Sequence, residues 1–525
     1  MISRIRGSFC NYDETERFVL NRILEELENE YIEELKYVVR GRVLAPFQTK
    51  CIAYALINKK CIISADTGLG KTGIASGLIN CVNQKQVGFH WVVICPAFNL
   101  VQTADELAES MYSSKVVSTN NQSFSIDWFI NMNINDWDVA VISYEALTNM
   151  KLQEYLLSIR EYVQGIIVDE SQLVCNLTGT ASQLLKSMSI QMEYMIMLTA
   201  TPIRVNVGQF IKQIHMLDYK VFGSELSLAI NYYTEFDEDY KPVGVRNLDH
   251  LLQKIDGKYI SITRSEINLK GNYTVNPLLV TPDKDYTNVS RKDIPKLVKG
   301  DPDGCAVRAL LQEVKDYKDT NLKGLIYVNL NNNKEMVKEY LTLSGISCEI
   351  LDGEHTKTAK SKEEVKKRFR EGELDCLITN LTVGLNLQCD YIVFYELTFD
   401  FKQMLGRGER GLKANDLFLT FIVVNDTEDV IIFYENVYNR AKLLGEVCGK
   451  DITEIEIAYK EIKRLKAENN RISYEMKQEE IRRQNELAEE EFKRRRSSLA
   501  QSETKSFEKG TGVAEEISEF LNLIN

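Results

Sequence analysis

Histidine is scarce, with 4 in 525 residues, and none of the 11 cysteines stands in a C-x-x-C pair. That scarcity excludes the usual zinc ligand sets. An odd number of scattered cysteines also argues against a disulfide framework and for reduced thiols. No apolar run reaches the ~20 residues that a membrane-spanning helix needs, so no membrane association is expected. The first residues, MISRIRGSFCNYDETERF, contain no apolar stretch of the kind that marks a secretory signal. A cytoplasmic setting is the expectation. Prolines are few, 8 in all, and Asn, Lys and Ile are plentiful. That composition fits an AT-rich genome, and with it a bacterial cell or the cytoplasm of a phage-infected host. A positive surplus is lacking too, since 64 Lys and Arg stand against 76 Asp and Glu for a formal net charge of −12. Any nucleic-acid contact must therefore come from local basic patches rather than a global field.

At 525 residues, 44% of them hydrophobic, the chain is too long for one core and implies two or three domains. Its most informative stretch is SADTGLGKTGIA, residues 64–75. The apolar run Cys61-Ile62-Ile63 leads into a Gly-rich turn, and a helix is expected to start at Lys71-Thr72. This is the layout of a phosphate-binding loop, although Ala65 stands where the usual pattern has its first glycine. Gly68 and Gly70 allow backbone N–H groups between Thr67, Leu69 and Lys71 to close on phosphate oxygens, and the helix N-terminus adds its positive end. Lys71 is expected to reach the β- and γ-phosphates, and the Thr72 hydroxyl to ligate Mg²⁺. ATP and Mg²⁺ are the implied cofactors.

Short apolar runs alternate with helical patterns at 61–65, 91–95, 138–143, 165–169 and 195–199, and again at 323–328, 347–351, 375–379, 390–395 and 417–424. Such alternation implies parallel sheets covered on both faces. The expected fold is α/β, with two parallel-sheet lobes and a helical tail. The expected segments are an N-terminal helical piece at 1–42, a first lobe at 43–203, a helical linker at 204–304, a second lobe at 305–450, a long helix or coiled coil at 451–500, and a linker with a short amphipathic helix at 501–525. In the tail, Ile455, Ile462, Asn469 and Met476 share one heptad position, and Ala458, Leu465 and Ile472 another. Either a short coiled coil with an Asn on its seam or one long helix packed on the parent domain satisfies that spacing. Val513, Ile517, Phe520, Leu521 and Ile524 share a face of the last helix, which suits a protein partner or the chain's own core.

Asp169-Glu170 ends the apolar run Gly165-Ile166-Ile167-Val168, where α/β sheets place their ligands. Asp169 is expected to hold Mg²⁺ through water, and Glu170 to orient or deprotonate the attacking water. Thr199-Ala200-Thr201 follows the next strand, and its hydroxyls are placed to sense Asp169 and Glu170. In the second half, Arg407 and Arg410 lie three apart on a helical pattern and share a face. A guanidinium supplied from another lobe stabilises the charge that spreads over a transferring phosphoryl group.

Together these segments resemble superfamily 2 helicases, and within them the Swi/Snf-type duplex DNA translocases. LAPFQ at 44–48 is similar to the segment that reads adenine in that family, which implies Gln48 on the base. TGLGKT at 67–72, VDESQ at 168–172 and MLTATPI at 197–203 resemble motifs I, II and III. VVICPAFNLV at 92–101 and VISYEAL at 141–147 resemble motifs Ia and Ib, which touch the DNA backbone in the family. LDGEHT at 351–356 resembles the segment after motif IV, and GLNLQCDYIVFYE at 384–396 motif V. QMLGRGER at 403–410 resembles motif VI, so Arg407 and Arg410 are implied to be arginine fingers and Gly384 and Gln403 to join the ATP contacts. The resemblance implies two RecA-like lobes of the P-loop NTPase fold. There are departures: Gln172 stands where the family usually has His, and Thr398-Phe399-Asp400 replaces its Trp-Asn-Pro. No histone-reading segment is recognisable, so chromatin remodelling is not expected.

The resulting expectation is an ATP-dependent translocase or helicase acting on DNA, duplex and sequence-independent, in replication, recombination, repair or phage–host conflict. An RNA helicase, or a nucleotide-controlled binding protein without motor activity, are the alternatives. The tail is expected to serve a protein partner or self-association.

Overall fold

The expected apolar runs become strands within two residues of their anticipated bounds, and every ladder between them is parallel. The computed structural model describes residues 35–508, apart from 84–89, 113, 120–124, 177–178, 204–206, 219–224, 235–244, 256, 270, 287, 357, 382–386 and 398–415. The chain divides into two units, Met1–Lys460 and Glu461–Asn525. The first unit holds two sheets. One comprises β1 (Lys60–Ala65), β2 (His90–Cys95), β3 (Val116–Ser118), β4 (Val139–Ser143), β5 (Val163–Asp169), β6 (Tyr194–Thr199) and β7 (Tyr259–Ile262), in the order β3-β4-β2-β5-β6-β1-β7. The other comprises β8 (Tyr273–Val280), β9 (Gly324–Tyr327), β10 (Cys348–Ile350), β11 (Cys376–Thr379), β12 (Tyr391–Phe394) and β13 (Leu417–Val424), in the order β10-β11-β9-β12-β13-β8.

Successive side chains of a strand point to opposite faces, and the two cores of the first sheet separate by that rule. Ile62, Ile94, Ile166, Val168, Met195 and Met197 enter one core, while Cys61, Ile63, Val93, Ile167, Ile196 and Leu198 enter the other. Helices Pro46–Asn58, Lys71–Asn83 and Leu100–Ser110 cover the second face through Ile52, Ile74, Leu78 and Leu107. Helices Gly179–Gln191 and Val207–Leu217 cover the first through Leu185, Phe210 and Ile214. Both faces are therefore buried, which is why the strands read as unbroken apolar runs.

Strands β3, β7 and β8 were not anticipated. The segment 204–304, expected as a helical linker, contributes β7 to the first sheet and β8 to the second. Pro277 lies inside β8 and disguises it, because proline cannot donate to a ladder. The structure tolerates it because β8 is an edge strand, paired only with β13 from Tyr273↔Leu417 to Val280↔Val424. A second departure concerns the helix Arg440–Cys448, expected within the second lobe. Its Leu444, Val447 and Cys448 lie in the first sheet's core.

The second sheet buries charge as well as apolar surface. Lys334 and Asp352 are 2.7 Å apart with side chains 1% exposed each. Asp352 also accepts hydrogen bonds from the backbone N–H of Glu354 and His355, at 2.9 and 2.7 Å. Burial alone would raise this carboxyl, but Lys334 and the His355 contacts hold it down at about 2. The LDGEHT segment is thus a turn tied around a buried ion pair.

The helix Thr453–Glu508 opens with Ile455 and Ala458 fully buried. Tyr459 stacks on Tyr438 at 3.8 Å between ring centroids and meets Tyr434 edge-on. In the second unit, Ile472 and Met476, expected on a heptad seam, are exposed. Intrahelical pairs join Arg464 to Glu461 and Glu468, Arg471 to Glu475, and Arg483 to Glu479. These i,i+3 and i,i+4 pairs support a helix that is charged on all sides. The expected amphipathic segment at 513–525 lies outside the described residues.

Candidate nucleotide site

Three adjacent parallel strands deliver three sequence motifs to one edge of the first sheet. Strands β5, β6 and β1 are neighbours, with Asp169 opposite Leu198 and Ser64 opposite Thr199. Because the strands are parallel, the segments leaving their C-terminal ends meet. A cleft of about 560 Å³ results, lined by Thr67, Gly68, Gly70, Lys71, Thr72, Asp169 and Glu170 among others.

The phosphate loop needs its glycines for two reasons. Gly68 and Gly70 have φ of 79° and 73°, a region that side chains disfavour. At Gly70 a Cβ would lie 2.6 Å from Gln48 Nε2. The Gln48 amide is fully engaged: its Oε1 accepts from Ala45 N at 3.0 Å, and its Nε2 donates to the carbonyls of Leu69 at 3.0 Å and Gly70 at 3.4 Å. Gln48 thus sits against the loop and braces its backbone.

Asp169 and Glu170 occupy unlike surroundings. Asp169 faces the cleft, and its carboxyl is pushed up to about 7, by burial first and by the neighbouring Glu170 second, against the pull of Lys71. Glu170 is buried with φ of 49°, a left-handed conformation that costs about 1–2 kcal/mol in an L-residue. Tyr144 fixes this turn by donating its hydroxyl to the carbonyls of Asp169 at 2.8 Å and Glu170 at 3.3 Å. The tyrosine comes from VISYEAL, so that segment supports the acidic pair directly.

The expected contact between Thr199–Thr201 and the acidic pair is indirect. Gln172 stands between them: its Nε2 donates to Glu170 Oε2 at 2.9 Å, and its Oε1 accepts from Thr199 Oγ1 at 2.6 Å. Thr199 Oγ1 in turn accepts from Thr201 N at 3.0 Å. Ala200 is buried and supplies only its place in the turn. A parallel link runs from Ser171 Oγ to Gln213 Oε1 at 2.7 Å, and from Gln213 Nε2 to Pro202 O at 2.7 Å. Both glutamines are buried, and a buried amide must be paired at both ends. The two turns are therefore tied together through both glutamines.

Sequence reasoning missed several cleft residues. Arg40, Arg42, Gln102 and Glu106 also line it, and the Arg42 guanidinium lies over Gly73 in the first turn of the phosphate-loop helix, Lys71–Asn83. No local pattern marks Arg40 or Arg42. They are placed by Asn80 Nδ2, which donates to Val38 O at 2.9 Å, and by Arg40 N, which donates to Ser110 O at 3.0 Å. Gly384, Gln403, Arg407 and Arg410 lie outside the described residues. Among the described residues no group of three or more His, Cys, Asp or Glu could cage a metal ion, and no helix is long and apolar enough to cross a membrane.

Two parallel-sheet RecA-like lobes, with a phosphate loop, an acidic pair and a threonine turn on one sheet edge, define a P-loop ATPase core. The sequence profile of the SNF2-related domain matches residues 19–368, and the chain belongs to that family, of Swi/Snf type within helicase superfamily 2. Membership makes it an ATP-hydrolysing protein of the nucleic-acid motor type. The Sulfolobus solfataricus SWI2/SNF2 ATPase core in complex with dsDNA is a similar solved structure, at 15% identity and a TM-score of 0.40, with 74% of this chain and 89% of that one covered. The Sulfolobus solfataricus SWI2/SNF2 ATPase core domain is similar at 14% identity and a TM-score of 0.39, with coverages of 78% and 95%. No curated protein matches the chain.

Proposed function

We propose that the protein is a DNA-stimulated ATPase that couples ATP turnover to stepping along duplex DNA without reading its sequence. The observation that supports this reading is the Glu170–Gln172–Thr199 relay, which joins the Glu170 carboxylate to the turn leading out of the first sheet. Lys71 pairs with the β- and γ-phosphates, Gln48 reads the base once its amide turns from the Leu69 and Gly70 carbonyls, and Glu170 takes the proton of the attacking water. Arg407 and Arg410, from the other lobe, complete the site when ATP closes the lobes. Gly384 and Gln403 add contacts to the nucleotide.

The donor set suits magnesium. Thr72 offers a hydroxyl, and Asp169 a carboxylate whose charge is disfavoured until a cation balances it. Magnesium keeps several of its waters and binds phosphate oxygens, so it needs few protein ligands. When bound it would offset negative charge on the phosphates. Thr72 and Asp169 would hold it.

Grip on the DNA backbone goes to phosphates and depends steeply on salt. ATP turnover is expected to rise with duplex DNA at least as much as with single strands, and to lose that stimulation as salt increases. A steady-state ATPase assay with duplex DNA, single-stranded DNA and RNA tests this. Stimulation by RNA alone would replace the proposal with an RNA helicase, and no stimulation by any nucleic acid would leave a binding protein.

The relay has its own test. Gln172→Ala removes hydrogen bonds to a buried carboxylate and a buried hydroxyl, where one such bond to a charged group contributes about 1.5–3 kcal/mol. DNA-stimulated kcat is expected to fall about tenfold or more, with little change in ATP affinity because Gln172 is not among the residues lining the cleft. Equal turnover in the variant would show that the relay does not carry the signal.

A further inference from the structure

The phosphate loop is gripped from outside the cleft by residues far away in sequence. Asp66, at the start of the loop, accepts hydrogen bonds on both carboxylate oxygens. Lys450 Nζ donates to Oδ1 at 2.9 Å, and Arg264 N donates to Oδ2 at 2.9 Å. Lys450 Nζ also donates to Ser64 O at 3.0 Å, near the C-terminal end of β1 just before the loop. Asp66 N donates to Ile262 O at 3.1 Å. The loop's first residues are thereby tied to β7 on one side and to Lys450 on the other. Neither Lys450 nor Asp66 lines the cleft.

Lys450 follows the second sheet in sequence, and its side chain is 3% exposed. It is delivered to the first sheet by the helix Arg440–Cys448, which ends at Gly449 with φ of 63°. Tyr259 of β7 anchors that end by donating its hydroxyl to Cys448 O at 2.9 Å. The next residue, Asp451, accepts from Thr453 N at 3.0 Å and so closes the first turn of the helix Thr453–Glu508. Asp451 also accepts from Ser265 Oγ, beside Arg264. Phosphate loop, β7 and the junction between two C-terminal helices share one polar knot.

We propose that Lys450 is a positioning residue for ATP binding and turnover, acting through Asp66 to hold the phosphate loop in its nucleotide-ready shape. The buried ammonium is worth placing there because it satisfies the carboxylate and the Ser64 carbonyl together, which no neutral side chain of that length can do. Its consequence is regulatory. Whatever unseats the 449–453 junction loosens the loop, so events at the root of the long helix reach the nucleotide. This inference rests on the reading of the cleft as an ATP site.

The test is a double-mutant cycle with ATP affinity as the readout, in the full-length chain below its melting temperature. Lys450→Met keeps most of the side-chain volume, and Asp66→Asn leaves one oxygen where two are needed. Each is expected to weaken ATP binding about tenfold, with kcat lowered as well, and the double variant is expected to be no weaker than either single one. Unchanged affinity in both single variants, with only the melting temperature lowered, would reduce Lys450 to a stabilising residue and overturn the proposal. So would losses that multiply to about a hundredfold in the double variant. If Lys450→Met fails to fold, Asp66→Asn alone decides, since unchanged ATP affinity there is incompatible with the proposal. Absence of ATP binding by the unmodified protein would instead overturn the reading of the cleft.

Discussion

Lys71→Ala is expected to abolish ATP turnover, by about 10²–10³-fold or more, through loss of a charge aimed at the phosphates. Glu170→Gln is expected to separate binding from hydrolysis. The glutamine amide oxygen can still accept the bond from Gln172 Nε2 that Glu170 Oε2 accepts now, so the turn keeps its shape. What is lost is proton acceptance, a contribution of about 10²–10⁴ in rate. ATP affinity is expected to survive in the Glu170 variant and to fall in the Lys71 variant. Equilibrium nucleotide binding beside single-turnover hydrolysis distinguishes the two. A Glu170→Gln protein that hydrolyses ATP near the unmodified rate would show that the acidic pair has been assigned wrongly.

The largest stability effect is expected in the second sheet. Lys334→Met leaves the Asp352 carboxylate buried without the ammonium 2.7 Å away. Breaking a buried pair from one side costs about 3–5 kcal/mol. Asn331, whose Oδ1 accepts from Lys334 Nζ at 2.9 Å, also loses its donor. Urea-dependent hydrogen exchange in β9, β10 and β11 reports the loss directly, and unchanged protection there would show that the pair contributes nothing. The pH dependence follows from the sign of the Asp352 shift. Its folded value, about 2, lies below the ordinary 3.8. Its stabilisation is therefore complete above about pH 4 and fades as the pH falls toward 2.

The phosphate loop and the acidic pair were legible because their chemistry is local. Six consecutive residues, Thr67–Thr72, both shape the turn and supply most of its cleft-lining groups. The strands around them were legible because burial on both faces leaves an apolar run. β8 was hidden by Pro277, which an edge strand tolerates. Gln172 stood in the sequence only as a departure from the family's His, and nothing local showed that its amide would join Glu170 to Thr199, 27 residues downstream.

The sequence by itself determined that this chain has an α/β fold, a Gly-rich turn that leads from β1 into a helix starting at Lys71-Thr72, and Asp169-Glu170 at a strand end. Periodicity and turn chemistry act over a few residues, and those properties need no more. The order of the strands was decided only by the tertiary structure, and with it the meetings that depend on order. Setting β1 between β6 and β7 puts Ser64 opposite Thr199 and the loop beside Ile262 and Arg264. Packing Leu444, Val447 and Cys448 into the first sheet's core carries Lys450 back to Asp66 across 384 positions of sequence. Contacts of that separation are selected by burial of whole elements against one another, a choice no short stretch of residues contains.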